Sequence, residues 1–317
     1  MARVEAFKVI SPGPQTTIQD LGRYGLGRYG IPPGGGLDPF SVKIANLLVG
    51  NREGEACIET TLMGLRLSAL TDLVIAITGG DLQPHLNDAP FRMWRSLIIR
   101  KGDVLHFKTL KAGCRAYLAI AGGISVDPIL GSKSTNLISG FGGYEGRNLR
   151  KGDILFTTSP FDHLNAKTRV LADDRIPVYT KDWILRVLWG PQDADFAPES
   201  KTRVLDSPFK VTPMSDRTGI RLSGPPIHRK EGVSESIISE GVVPGSVQVP
   251  GDGQPIIILV ETVTGGYRKI ATIIGADIPF LGQIKPGDQI QFRAVSMEEA
   301  LVALREMEAT IAQLRGG

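Results

Sequence analysis

The chain has 317 residues, enough for two domains with full cores, and 42% hydrophobic against 22% charged residues describes a globular protein. A net charge of +3 without a long basic run argues against nucleic acid as a partner, and no apolar stretch reaches membrane-spanning length. With 38 glycines and 21 prolines between short apolar runs, the pattern is one of many turns and many strands.

The N-terminus lacks a charged segment followed by an apolar core, so no export signal is read and the expected location is the cytoplasm. Strands are predicted over residues 4–10 and 16–19. Residues 20–36 make a long glycine-rich loop without a regular period, in which Asp20, Arg23, Arg28 and Tyr29 supply charge and ring surface. It reads either as a solvated loop with an internal Asp–Arg pair or as a binding loop. Asp38-Pro39 then opens a helix, with aspartate as N-cap and proline at a first position that needs no N–H. Phe40, Ile44, Leu47 and Leu48 share one face and Gly50 ends it. Strands follow over 57–61, 65–69, 73–78, 96–100, 104–108 and 115–121. Cys57 and Cys114, the two cysteines, lie in this apolar context and read as buried structural thiols rather than a disulfide framework.

Lys101-Gly102-Asp103 is a turn signal that recurs as Lys151-Gly152-Asp153 and Lys285-Pro286-Gly287-Asp288, each before a strand. Thr78-Gly79-Gly80, Pro90-Phe91 and Phe107 echo Thr264-Gly265-Gly266, Pro279-Phe280 and Phe292 in order, which points to two related β units. Gly131-Ser132-Lys133-Ser134-Thr135 resembles part of a phosphate loop but lacks its full spacing; its hydroxyls and lysine can hold an anion. Polar residues 165–181 read as a linker between domains over residues 1–165 and 182–317. In the second half, strands are predicted over 183–189, 210–212 and 219–222, around Ser215-Asp216-Arg217. Arg217 and Arg221 are each suited to bidentate bonds with a carboxylate or phosphate, or to a salt bridge, for which Asp216 is near Arg217. A last helix starts at Ser296, with Glu299 completing a capping box and Leu301, Leu304, Ile311 and Leu314 as its apolar stripe.

Residues 240–269 are the densest in candidate chemistry. Two strand-like runs, 246–249 and 256–260, are bounded by proline and glycine, and the second reads as buried on both faces. Gln248 alternates with Val247 and Val249, so it faces away from them. The run ends at Glu261, Thr262, Thr264, Gly265, Gly266 and Tyr267, which reads either as a plain turn or as backbone shaped to approach an oxyanion. His85, His106, His163 and His228 are scattered without ligand spacing, so no metal site is expected. No nucleophile–base motif is visible; the polar groups are suited to binding and polarising a small amide or acyl compound.

The run from Gly241 to Tyr267 resembles the signature of the family of 5-oxoprolinase C subunits, also described as KipA or as a biotin-dependent carboxyltransferase-type (allophanate hydrolase subunit 2) domain. Further blocks begin at Thr17, Gly35, Ala45, Cys114, Gly140 and Ser215. Thr262 and Val263 depart from the usual Gln-Thr of that signature. The resemblance implies a mainly β fold of two cyclophilin-like β-barrel domains with a few helices. It implies partnership with a smaller, KipI-like B subunit and with an A subunit in the ATP-dependent opening of 5-oxo-L-proline, a small cyclic amide, to L-glutamate. ATP with Mg2+ then acts at the level of the complex. Gln248, Thr264 and Arg217 are the expected catalytic residues, with Gly265, Gly266, Tyr267, Arg221, Gln254, Asp20 and Arg23 binding substrate. Two alternatives share this scaffold: a urea carboxylase-type carboxyltransferase half, with biotin on another protein, and a non-catalytic KipA-like antagonist of a kinase inhibitor.

Overall fold

A computed structural model describes residues 3–158 and 168–315, so residues 165–167 of the expected linker lie outside the described residues. The fold is mainly β, as the turn-rich sequence predicts. The described residues fall into two units: 3–23, 34–158, 168–179 and 309–315 form the first, and 24–33 and 180–308 the second. The remainder of the expected linker is therefore tied to the first unit as far as Tyr179. The Arg169 N–H donates to Ser96 Oγ at 2.8 Å, and the Leu171 N–H to the Trp94 carbonyl at 3.0 Å.

The first unit contains β1 (Val4–Pro12), β2 (Gln15–Gln19), α1 (Pro39–Leu48), β3 (Cys57–Thr61), β4 (Leu65–Ala69) and β5 (Leu73–Asp81). After these come β6 (Pro84–Leu86), β7 (Ala89–Pro90), β8 (Ser96–Ile99), β9 (Val104–Phe107), β10 (Ala112–Ile120) and β11 (Ile154–Thr157). They build a six-stranded sheet, β11-β1-β4-β9-β6-β7, and a five-stranded sheet, β2-β3-β10-β5-β8. One core draws on both: Phe7, Leu67 and Phe107 come from the first sheet, Ile58, Ile75 and Leu118 from the second. The other face of the five-stranded sheet is covered by α1, which packs on β5 and β10. Asp38 caps that helix by accepting the Ser41 N–H at 2.8 Å.

The second unit contains β12 (Asp182–Trp189), α2 (Pro198–Asp206), β13 (Phe209–Val211), β14 (Gly219–Ser223), β15 (Glu240–Gly241) and β16 (Ser246–Val249). It continues with β17 (Ile256–Ile258), β18 (Thr264–Gly265), β19 (Arg268–Ile273) and β20 (Gln289–Ala294). Seven of these strands close a barrel in the order β12-β19-β16-β17-β14-β13-β20, sealed by the parallel β12–β20 pair. β15 and β18 stay outside it as a two-stranded ribbon. β17 is shorter than the five-residue run implies, and Ile256 is only half-buried because its side of the strand faces outward. The final helix, α3 (Met297–Arg315), starts with the expected capping box: the Ser296 N–H donates to Glu299 Oε2 at 2.7 Å, and the Glu299 N–H to Ser296 Oγ at 3.1 Å. Of its expected stripe, Ile311 is fully buried and Leu304 and Leu314 are half-buried. Leu301 is exposed, and Ala300 and Ala303 pack against Ile274 instead, since small side chains let the helix lie close to its neighbours.

The recurring Lys-Gly-Asp signal builds one turn three times. Gly102, Gly152 and Gly287 have φ of +92°, +96° and +93°, a region that favours glycine. In each copy the aspartate carboxylate accepts the N–H three residues earlier, from Arg100 (2.7 Å), Arg150 (2.7 Å) and Lys285 (3.2 Å). The glycine N–H reaches a strand carbonyl, of Ala69, Val9 and Val211 respectively. The longer echo diverges: Thr78 is fully buried within β5, whereas Thr264 is exposed on the ribbon.

Arg217 precedes β14 and Glu261 follows β17. Arg217 Nε donates to Glu261 Oε1 at 2.7 Å, and the two side chains are only 4% and 2% exposed. The partner is thus Glu261 rather than neighbouring Asp216, whose carboxylate accepts the Thr218 and Gly219 N–H groups of the turn. Removing one member of a buried pair strands the other charge, at a cost of roughly 3–5 kcal/mol. Arg217→Ala is expected to lower the free energy of urea unfolding by about that amount, and Arg221→Ala by less than about 0.5 kcal/mol. Equal losses in the two variants would contradict this division.

Candidate binding cleft on the outer face of the barrel

Directly opposed residues of an antiparallel ladder project to the same face. Ile220 of β14, Ile257 of β17, Val247 of β16 and Ala271 of β19 form one such row; all are buried and apolar, and they fill the barrel interior. The adjacent row is Arg221, Ile256 and Gln248 on the outer face, and a shift in the β16–β19 register between Val247 and Gln248 sets Lys269, rather than Ile270, opposite Gln248. The two ends of this row differ. Arg221 is exposed, while Gln248 and Lys269 are buried.

At the exposed end is a cleft of about 500 Å³ lined by Thr212, Met214, Arg221, Asp252, Gln254 and Tyr267, among others. Among the described residues the Arg221 guanidinium has neither an ion-pair nor a hydrogen-bond partner; only its backbone is engaged, the N–H donating to Ser215 Oγ at 3.0 Å and the carbonyl accepting the Thr212 N–H at 2.9 Å. Gln254 shapes the wall: its Oε1 accepts the Gly224 N–H at 2.8 Å and its Nε2 donates to the Gly224 carbonyl at 3.2 Å. Asp252 Oδ1 accepts the Gln254 N–H at 3.0 Å and brings a negative charge to the same cleft. The exposed ring of Tyr267 forms another wall. A cation, a carboxylate and an aromatic surface around a cleft of this size are suited to a small ligand with an anionic end and an N–H.

At the covered end the β15–β18 ribbon lies over Gln248, with Glu240 opposite Gly265 and Gly241 opposite Thr264. Gln248 Nε2 donates to the Tyr267 carbonyl at 3.1 Å, linking the covered end to a cleft residue. A Cβ on Gly265 would collide with that same nitrogen, so glycine is needed here for close approach; neither Gly265 nor Gly266 has positive φ. Thr264 is exposed on the ribbon.

Of the residues expected in a site, Arg221, Gln254 and Tyr267 line one cleft, Gln248 and Gly265 pack together beside it, and Arg217 is engaged by Glu261. Asp20 and Arg23 belong to the first unit. Asp20 accepts Ser132 Oγ–H and the Lys133 N–H, both at 2.6 Å, and the Gly22 N–H at 2.7 Å. The phosphate-loop-like segment therefore does cradle an anion, the chain's own aspartate. Arg23 donates to the Ser134 carbonyl at 2.6 Å and lies 4.8 Å over the Phe141 ring. Cys57 is fully buried and its thiol is pushed well up by burial, which disfavours the reactive thiolate. Sequence reasoning missed Asp252, Gln192 and Lys269. Lys269 was accessible only through its pairing with Gln248, which no linear motif encodes. Gly265→Ala is expected to displace the Gln248 amide and lower stability by about 1 kcal/mol, the net worth of its hydrogen bond, with a change in Tyr267 fluorescence. An unaltered melting curve and spectrum would contradict the packing argument.

The carboxyltransferase domain, subdomain A and B, family model matches residues 29–294. The chain is 40% identical over 313 residues to the 5-oxoprolinase C subunit of Escherichia coli strain K12, covering 97% of each protein. It is 36% identical over 331 residues to a urea amidolyase of Lachancea kluyveri, covering 98% of this chain but 18% of that protein. The crystal structure of the K. lactis urea amidolyase superposes with a TM-score of 0.92 at 33% identity, over 99% of this chain and 20% of that one. The match of family model and fold along almost all of its length makes this chain a member of the carboxyltransferase-domain family, subdomains A and B.

Proposed function

We propose that this chain is the C subunit of an ATP-dependent 5-oxoprolinase, acting with the A and B subunits to open 5-oxo-L-proline to L-glutamate. The observation that carries the reading to a site is the unpaired Arg221 guanidinium in the outer-face cleft. It receives the substrate carboxylate, Asp252 accepts the lactam N–H, and the Tyr267 ring covers the apolar carbons. Arg221 is preferred to Arg217 because the latter's charge is already neutralised by Glu261. Support for the substrate comes from full-length similarity to proteins named as the C subunit of 5-oxoprolinase, in contrast to the small fraction of the urea amidolyase that is matched.

In this reading the chain binds and orients the cyclic amide, and partner subunits carry the ATP-driven step. ATP with Mg2+ acts at the level of the complex in this reading, and no step is routed through ATP on this chain. A second reading, a carboxyltransferase half acting on a urea-like amide with biotin from another protein, is favoured by the family model and by the urea amidolyase fold match. The same cleft then orients the amide acceptor.

The deciding experiment reconstitutes the three subunits and measures 5-oxoproline-stimulated ATP hydrolysis. Stimulation is expected, and urea-dependent carboxyl transfer from a biotin carrier in its place would establish the second reading. Within an active complex, Arg221→Ala is expected to raise KM for 5-oxoproline roughly ten- to hundredfold, the loss of a hydrogen bond to a charged group. A wild-type KM would remove Arg221 from the site.

A further inference from the structure

The covered end of the outer row holds a buried cation. Lys269 lies on β19 opposite Gln248, with its side chain 8% exposed. Gln192 stands beside it: its Oε1 accepts the Lys269 backbone N–H at 3.0 Å, which turns its Nε2 outward as a donor. Lys269 Nζ and Gln192 Nε2, the latter at 2.6 Å, converge on a single oxygen, Oε1 of Glu240. Two oriented donors, one buried and charged, aimed at one carboxylate oxygen make a preorganised anion site.

The carboxylate that fills it comes from the ribbon and not from the barrel. Its side chain is 42% exposed, in contrast to the lysine. The ribbon's backbone bonds are largely internal: the Ile237 N–H donates to the Gly266 carbonyl and the Val242 N–H to the Val263 carbonyl. Flanking Ile238 is 94% exposed and Val243 58%, so little apolar burial holds this segment down. The Lys269 hydrogen bond, and then that of Gln192, keeps the Glu240 carboxyl below the usual carboxylate range.

We propose that Lys269 and Gln192 form a carboxylate-binding site, and that Glu240 occupies it as an internal stand-in that a carboxylate-bearing ligand displaces by lifting the ribbon. The site is separate from Arg221, which lies three strands away across the row, and it does not depend on the reaction assigned to the cleft. Such an internal competitor raises the apparent Kd for an external ligand by the reciprocal of the fraction of time that the site is open.

The test is isothermal calorimetry on the full chain with L-glutamate, 5-oxo-L-proline and inorganic phosphate as probes. Glu240→Ala and Glu240→Gln are both expected to bind at least one of the two carboxylates roughly tenfold or more tightly than the wild type. Adding Lys269→Met should abolish the gain. The proposal is overturned if neither Glu240 variant gains affinity, if the gain survives Lys269→Met, or if phosphate binds as tightly as the carboxylates. A measurement on the wild type covers the case in which the variants fail to fold. A saturating carboxylate should speed amide exchange at Gly241 and Val242, and unchanged exchange would equally overturn the displacement.

Discussion

The register of β14 against β17 decides what the outer face of the barrel presents. Side chains alternate with a period of two, so a slip of one residue would turn Arg221 into the core and expel Ile220. The buried Arg217–Glu261 pair stands at the end of this ladder, just before β14 and just after β17, and admits one alignment of the two charges. Hydrophobic burial of Ile220, Leu222 and Ile257 drives the strands together, and the ion pair selects the pairing. The cleft is thus a consequence of register: Arg217 serves the scaffold, and four residues later Arg221 is left exposed on the cleft wall.

Asp20 and Glu240 each satisfy a group of anion donors, and the physical settings differ. Asp20 is almost fully buried and receives two backbone N–H groups and a serine hydroxyl, so its contacts are those of a fixed loop clamp. Glu240 meets a buried lysine from an exposed ribbon. Burying a charge without a partner is costly, so both sites must be filled, but only the second is filled from the solvent side. That difference separates a structural anion from one that a ligand can replace.

Much of the fold was legible because its signals are local. Asp38-Pro39 and the Ser296–Glu299 box open helices by chemistry confined to one turn, and three Lys-Gly-Asp turns announce three strands. The candidate site was legible only in part. Arg221, Gln254 and Tyr267 could be named from their motifs, and they line one cleft. The roles of Arg217 and Arg221 were indistinguishable in sequence, since Glu261 lies 44 positions from Arg217 and its partnership depends on strand pairing. Lys269 escaped for the same reason. On α3 the stripe failed only at Leu301, because the helix meets Ile274 through Ala300 and Ala303, where small side chains allow close packing.

The central claim is that this outer face, at Arg221, receives a small carboxylate. The most direct measurement is a titration of the full chain with 5-oxo-L-proline, followed through the NMR signals of the arginine Nε–H groups. The Arg221 signal should shift and saturate while the Arg217 signal, locked to Glu261, stays in place. Saturable movement confined to Arg217, or an Arg221 signal indifferent to the ligand, would contradict the account.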